Sequence, residues 1–361
     1  MTGPVLIMAG GTGGHVIPAL AVARALRAGG HDVVWLGTRR RIEARLVPAE
    51  GIPIEWIDIE GLRGRGLGGW LAAPVKLLRA VSQALAVLRR VRPAVVFGGG
   101  GFASGPGGLA AWLMRTPLVI HEQNAAAGLT NRWLARLAGT VAEAFPGSFP
   151  GRKGVVTTGN PVRREIASLP PPEARFAGRS GRLRLLVFGG SQGAAVLNRV
   201  VPRAVATLPD AVRPLVLHQA GTAQLEETRG LYRQLGVDAD VRAFIDDMAA
   251  AYGAADLAVA RAGSTVSELA AAGLGALLVP LAIAMDDHQT KNAGFLVAAG
   301  AARVIREAEL TPERLAQELL EILEGGREVP LAMARAARAV AVTDAAERLA
   351  GLCVAAAEAA R

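Results

Sequence analysis

The sequence is poor in several residue types, and each shortage excludes something. A single cysteine, Cys353, leaves no internal disulfide framework and no cysteine zinc site. Aromatic residues make up only 4% of the chain, without the interleaved stacking pattern that reads RNA, so nucleic acid is not expected as a partner. The uncharged stretch from Leu269 to Met285 is broken by Gly273, Gly275 and Pro280, and it falls short of the roughly 20 apolar residues of a bilayer span. The first apolar run, Val5 to Ala9, has no basic segment before it. No secretory signal is therefore expected, and a cytosolic protein is the simplest reading.

Acidic residues are missing altogether between Gly61 and His121. That stretch carries Arg63, Arg65, Lys76, Arg79, Arg89, Arg90, Arg92 and Arg115, eight positive charges against a net charge of +9 for all 361 residues. An arginine-rich composition would raise the charge everywhere without clearing one segment of acids. The alternative is a patch that faces an anionic surface: a membrane leaflet, a nucleic acid or a polyphosphate. A helix beginning near Pro74 would carry Val75, Leu78, Val81, Leu85 and Leu88 at helical spacing. Lys76, Arg79, Arg89 and Arg90 surround them, and Trp70 precedes them. Most such helices face a core, but a basic one free of acids also suits a membrane surface, which is the favoured reading.

Two glycine-rich turns stand out. Gly10-Gly11-Thr12-Gly13-Gly14-His15 follows Val5–Ala9, and Gly189-Gly190-Ser191-Gln192-Gly193-Ala194 follows Leu183–Phe188. Each opens a helical pattern, the usual way to bring phosphate oxygens against backbone N–H groups at a helix N-terminus. Strand candidates are 4–9, 32–36, 53–58, 94–97, 117–121, 155–158, 183–188, 214–218, 240–243, 256–260 and 276–280, with helical patterns between most of them. This predicts α/β architecture: two Rossmann-like domains with parallel sheets facing a central cleft. The domains are placed at 1–160 and 161–334, and a C-terminal helix at about 335–361 is expected to pack back on the first.

Neither turn spells the dinucleotide fingerprint, and the chain reads Gly37-Thr38-Arg39-Arg40 where a ribose-binding acid would stand. There is no Gly-Lys-Ser/Thr for a P-loop. Polar groups instead recur at predicted strand ends. Arg261 to Glu268 follows one strand, and taken locally it reads as a capping box, with Ser264 or Thr265 capping and Glu268 one turn on. The functional reading is a carboxylate that accepts two ribose hydroxyls. Asp286 to Asn292, including Gln289, follows the next strand. His121-Glu122-Gln123-Asn124 and the four glycines Gly98–Gly101 lie on the same predicted edge as His15. Arg163 reaches a phosphate or pairs with Glu165. The dipole of its helix disfavours a cationic His15, leaving the neutral state a general base needs.

These motifs, taken in order, resemble a known family. Gly10–His15, Gly61-Leu62-Arg63-Gly64, Gly105–Gly108, His121–Asn124, Gly159–Arg163, Gly189–Ala194, Phe244–Met248 and Asp286–Gln289 are similar to those of the MurG family. These are the bacterial UDP-N-acetylglucosamine:undecaprenyl-pyrophosphoryl-muramyl-pentapeptide N-acetylglucosaminyltransferases of glycosyltransferase family 28. The resemblance runs to about residue 350 and implies the two-domain GT-B fold. It implies an inverting transfer of N-acetylglucosamine to the muramyl 4-hydroxyl, converting lipid I to lipid II. By the same resemblance Ser191, Gln192 and Gly193 hold the donor diphosphate, Ile245 contacts uracil through its backbone and Glu268 takes the ribose. Ser264, Thr265, Val266, Ser267 and Gln289 line the donor pocket with Arg163 nearby. Thr12, Gly13, Gly14 and Asn124 face the sugar and acceptor, and His15 is the candidate base. The segment Arg261–Thr265 is often a residue longer in that family. Partners implied are UDP-N-acetylglucosamine, lipid I, the anionic membrane surface at the cytoplasmic face, and cell-wall synthesis and division proteins. No metal or cofactor is required on this reading. No Asp-x-Asp pair follows a strand, and helix N-termini would stabilise the leaving group. A UDP-N-acetylglucosamine 2-epimerase shares the fold but needs no lipid acceptor. A non-enzymatic membrane scaffold leaves the second glycine turn unexplained.

Overall fold

A computed structural model describes residues 2–59, 73–190, 194–281 and 287–360. The chain divides into two units, Met1–Val162 with Thr343–Arg361, and Arg163–Val342.

The first unit alternates strand and helix: β1 (Val5–Met8), α1 (Gly13–Ala28), β2 (Val33–Gly37), α2 (Glu43–Ala49), β3 (Ile54–Trp56), α3 (Ala73–Val91), β4 (Val95–Gly98), α4 (Ser104–Leu113), β5 (Leu118–Glu122), α5 (Leu129–Leu134), β6 (Thr140–Glu143) and β7 (Val155–Thr157). The strands form one sheet in the order β3-β2-β1-β4-β5-β6-β7, parallel throughout. Both faces are covered, so β1 reads as a continuous apolar run. Its side chains alternate: Val5 and Ile7 enter the core beneath α1, Leu6 and Met8 the core beneath α3 and α4.

The second unit holds α6 (Arg164–Ala167), α7 (Pro172–Phe176), β8 (Arg184–Phe188), α8 (Ala195–Thr207), β9 (Leu215–Gln219), α9 (Leu225–Gln234), β10 (Ala239–Arg242), α10 (Met248–Ala254), β11 (Leu257–Ala260), α11 (Thr265–Ala272), β12 (Ala276–Leu278), α12 (His288–Ala298), β13 (Ala302–Val304), α13 (Pro312–Leu323) and α14 (Glu328–Ala339). Its sheet is again parallel, in the order β10-β9-β8-β11-β12-β13.

The expected C-terminal helix is in fact two. α14 stays with the second unit, and α15 (Ala345–Ala359) returns to the first, where Leu349, Cys353 and Ala357 enter the core beside α1. The break falls at Val340–Asp344, where the helical hydrogen bonding lapses. Burial pushes the Cys353 thiol up to about 12, which leaves it an inert core residue. Strands β6 and β13 were not expected. Both are short, Thr140-Val-Ala-Glu143 and Ala302-Arg-Val304, and each carries a charged residue.

In each sheet the strand order reverses once, between β1 and β4 in the first and between β8 and β11 in the second. Ligands of open parallel sheets bind outside the carboxyl ends of strands at such a reversal. The first glycine turn sits there, and so do Gly189 and Gly190, which follow β8.

Candidate active site

In the first unit the turn after β1 meets the glycine loop after β4. Gly10 N–H donates to Gly100 O at 3.3 Å. Gly100 has φ +88°, and a Cβ on it would collide with the His15 ring; a Cβ on Gly101 would collide with Gly10. The consecutive glycines therefore allow two backbones to pack without side chains between them. His15 lies in the first turn of α1, half-buried, with Nδ1 3.1 Å from Thr12 Oγ1. When Nδ1–H donates to that hydroxyl, Nε2 carries the lone pair. Thr12 is the exposed N-cap and makes no side-chain cap bond, and Gly13 and Gly14 are the first two residues of the helix. Glu43 braces the turn. It accepts from Gly11 N–H at 3.1 Å through one oxygen and from the Thr38 hydroxyl at 2.6 Å through the other.

The run His121–Asn124 separates into structural and accessible groups. His121 is buried, with Nε2 3.0 Å from Gly159 O, so Nε2 bears the hydrogen and Nδ1 accepts from Gln123. Burial pushes its pKa down to about 4. Glu122, also buried, accepts from Asn124 N–H and Nδ2 at 3.0 Å each, Gly128 N–H at 3.1 Å and Asn131 Nδ2 at 2.9 Å. It shapes the loop that holds Asn124 half-exposed beside the carboxyl end of β5.

In the second unit the two loops at the reversal follow β8 and β11. Ser191, Gln192 and Gly193 lie outside the described residues. Glu268 stands in the first turn of α11. The capping box is not formed: N-cap Ser264 makes no side-chain cap bond, and the Thr265 hydroxyl donates back to Arg261 O at 3.0 Å. Glu268 is drawn instead to longer-range partners. Its Oε1 accepts from Arg163 Nη2 at 3.2 Å and its Oε2 from the Tyr252 hydroxyl at 2.9 Å. Arg163 thus pairs with Glu268 and not with Glu165. Burial and the adjacent carboxylate hold the Tyr252 phenol well above its ordinary pKa, so it remains a donor. Its ring packs edge-on to Phe188 at the end of β8.

Around this carboxylate Val266 is buried, and Ser264, Thr265 and Ser267 are half-buried. Arg261 ties β11 to the end of β12 through Val279 O at 3.2 Å, and also pairs with Glu307 at 2.7 Å. Gln289 Oε1 accepts from Leu281 N–H at 2.9 Å. Ile245 is buried and its N–H donates to Gln219 Oε1 at 3.0 Å. Gln219 and Tyr252 escaped the sequence reading, since neither belongs to a glycine turn or polar cluster.

The basic helix α3 divides along its length. Val75 and Leu78 are 69% and 70% exposed, whereas Val81 is buried and Leu85 half-buried. Val81 is therefore no part of an exposed patch, because it lies on the face with Ala80, Ala84 and Leu88 that packs on the sheet. Trp70 lies outside the described residues. Lys76, Arg79, Arg89 and Arg90 are exposed, but Arg79 donates to Asp58 at 3.2 Å and Arg90 to Glu55. Acids that precede the acid-free stretch thus fold against it. The neighbouring helices add exposed apolar residues the sequence did not single out: Trp112 and Leu113 on α4, Leu129 and Trp133 on α5. Among the described residues no helix is long and apolar enough to cross a membrane.

Two Rossmann-like units, each with its polar loops at the reversal of a parallel sheet and neither with a dinucleotide fingerprint, fit the two-domain architecture of nucleotide-sugar enzymes. The glycosyltransferase family 28 N-terminal domain matches residues 5–143 and the C-terminal domain of that family residues 184–349. The chain belongs to glycosyltransferase family 28. It is 59% identical to the UDP-N-acetylglucosamine--N-acetylmuramyl-(pentapeptide) pyrophosphoryl-undecaprenol N-acetylglucosamine transferase of Nitrosococcus oceani, over 97% of this chain and 98% of that one. The Marinobacter nauticus enzyme of the same name is 55% identical, over 98% and 97%. The crystal structure of Acinetobacter baumannii MurG superposes with a TM-score of 0.85 at 42% identity, over 98% and 99% of the two chains.

Proposed function

We propose that this protein transfers N-acetylglucosamine from UDP-N-acetylglucosamine to the muramyl 4-hydroxyl of undecaprenyl-pyrophosphoryl-muramyl-pentapeptide, with inversion, in peptidoglycan synthesis. The single observation that carries this reading furthest is full-length identity of 53–59% to transferases of that name. The second unit binds the donor. Glu268, oriented by Tyr252 and Arg163, accepts the ribose hydroxyls. The loop at Ile245 takes the uracil, and the turn at Ser191–Gly193 takes the diphosphate. Ser264–Ser267 and Gln289 complete the pocket.

The first unit serves the acceptor. Thr12, Gly13, Gly14 and Asn124 face the acceptor and the reacting sugar. The muramyl 4-hydroxyl oxygen bonds to the anomeric carbon while the bond to UDP breaks and its electron pair leaves with the diphosphate. His15 Nε2 takes the hydroxyl proton while Nδ1–H donates to the Thr12 hydroxyl. Negative charge on departing UDP is met by backbone N–H groups and helix N-termini, so the reaction calls for no cofactor. Exposed Val75 and Leu78, with Lys76 between them and Arg89 further along the same helix, hold the first unit peripherally on the anionic cytoplasmic face of the membrane, where the lipid-linked acceptor resides.

Incubation with donor labelled in the sugar tests the reading. Label should enter the lipid fraction only when the lipid acceptor is present. Label that stays with nucleotide whether or not acceptor is added would refute it.

A further inference from the structure

Gln219 is the last residue of β9, the strand between β8 and β10. Its side chain is buried, and both ends of its amide are engaged by backbone. Nε2–H donates to Gly190 O at 2.8 Å, in the turn after β8. Oε1 accepts from Ile245 N–H at 3.0 Å, in the loop after β10. One side chain therefore clips together the loops that flank its own strand. The strand end that carries it is itself anchored on the opposite face. There His218, the preceding residue, bonds to Tyr232 and Asn198 at 3.0 Å each.

We propose that Gln219 is a positioning residue for donor selection: it sets the separation between Gly190, just before the residues proposed for the diphosphate, and the loop for the base. This rests on the donor site proposed above. Uracil and cytosine have similar shapes but opposite hydrogen-bonding edges. Uracil presents an N3–H donor beside the O4 acceptor, and cytosine an N3 acceptor beside an amino donor. With its N–H held by Gln219, Ile245 meets the uracil N3–H through its carbonyl, and discrimination requires that carbonyl to stand at a fixed place relative to the phosphates. An amide donor to one loop and acceptor from the other supplies that constraint, and an ionised Glu of the same length supplies only the acceptor.

The test uses Gln219→Met, which keeps length but makes neither bond, and Gln219→Glu, which keeps the acceptor for Ile245 but sets a carboxylate oxygen against Gly190 O. UDP and CDP binding are measured by calorimetry on each full-length protein, beside steady-state kinetics. Gln219→Met should bind UDP about three- to tenfold more weakly, the range expected for one or two net hydrogen bonds. It should lose a similar factor of its preference for UDP over CDP. The donor KM should rise while the acceptor KM and kcat stay within about twofold. Gln219→Glu should recover affinity as pH falls, since the protonated acid can donate to Gly190 O. Folded variants with the wild-type UDP affinity and the wild-type UDP-to-CDP ratio would overturn the proposal, as would equal losses for both nucleotides. A wild-type protein that binds neither nucleotide, or both alike, would overturn the donor-site reading itself.

Discussion

The Tyr252 hydroxyl donates to Glu268 Oε2 at 2.9 Å, and the opposite oxygen accepts from Arg163 at 3.2 Å. The carboxylate is thus oriented before any ligand arrives, by a buried phenol from α10 and a guanidinium that begins the second unit. Glu268→Ala should weaken UDP binding roughly ten- to a hundredfold, the scale of hydrogen bonds to a charged group. Tyr252→Phe removes only the orienting bond, so a loss of about three- to tenfold is expected. Calorimetry with UDP checks both. An unchanged affinity in Glu268→Ala would remove its ribose role.

His15 is expected to act on the proton and not on the nucleotide. His15→Ala should lower kcat by about two to four orders of magnitude, the usual worth of a general base, with UDP affinity nearly kept. Thr12→Val, which leaves Nδ1 without its partner 3.1 Å away, should lower kcat less and alter the pH profile of kcat. Near-wild-type turnover of His15→Ala would eliminate it as the base.

Each unit buries a neutral histidine, and both set an acid limit. Burial pushes His121 from 6.5 down to about 4 and His218 down to about 3. Below pH 6.5 the unfolded chain takes up protons that the folded chain refuses. Their contribution is therefore present above pH 6.5 and is lost as pH falls toward about 4 for His121 and about 3 for His218. Urea midpoints should fall between about pH 7 and about pH 5. His218→Gln should be less stable at neutral pH and show a flatter dependence. A wild-type midpoint that is level across this range would contradict the account.

The exposed end of α3 should contribute to membrane binding through apolar contact as well as charge. Arg79 and Arg90 are paired with Asp58 and Glu55, so their attraction to lipid is partly offset. Replacing Arg79, Arg89 and Arg90 together by glutamine should weaken binding to anionic vesicles at about 20 mM salt, and much less at about 300 mM, where screening is strong. Leu78→Glu should weaken it at both. UDP affinity should be unchanged in each variant, and sedimentation with vesicles reads the outcome.

Much of this architecture was legible in the sequence because it is written in local pattern. Buried parallel strands read as apolar runs, and the strands that precede the two glycine turns, β1 and β8, stand at the reversals of the two sheets. What escaped was set by tertiary contact. Thr265 and Glu268 have the spacing of a capping box, yet Tyr252 and Arg163, outside that helix, claim the carboxylate. Gln219 looks like an ordinary strand residue until the loops after β8 and β10 are brought to either side of it. The acid-free stretch is real as sequence, but Asp58 and Glu55 neutralise part of it in space. Val81 shares its helical spacing with Leu78, and only the packed sheet distinguishes the buried residue from the exposed one.

The central claim is sugar transfer with inversion, and the most direct measurement is the structure of the product. Purified protein is incubated with UDP-N-acetylglucosamine and a soluble-chain analogue of the undecaprenyl-linked acceptor, and the product is analysed by proton NMR. The account predicts a disaccharide joined at the muramyl 4-position with the anomeric centre inverted to β, formed only when acceptor is present. An α-linked product, or acceptor-independent formation of the 2-epimer without any disaccharide, would contradict it.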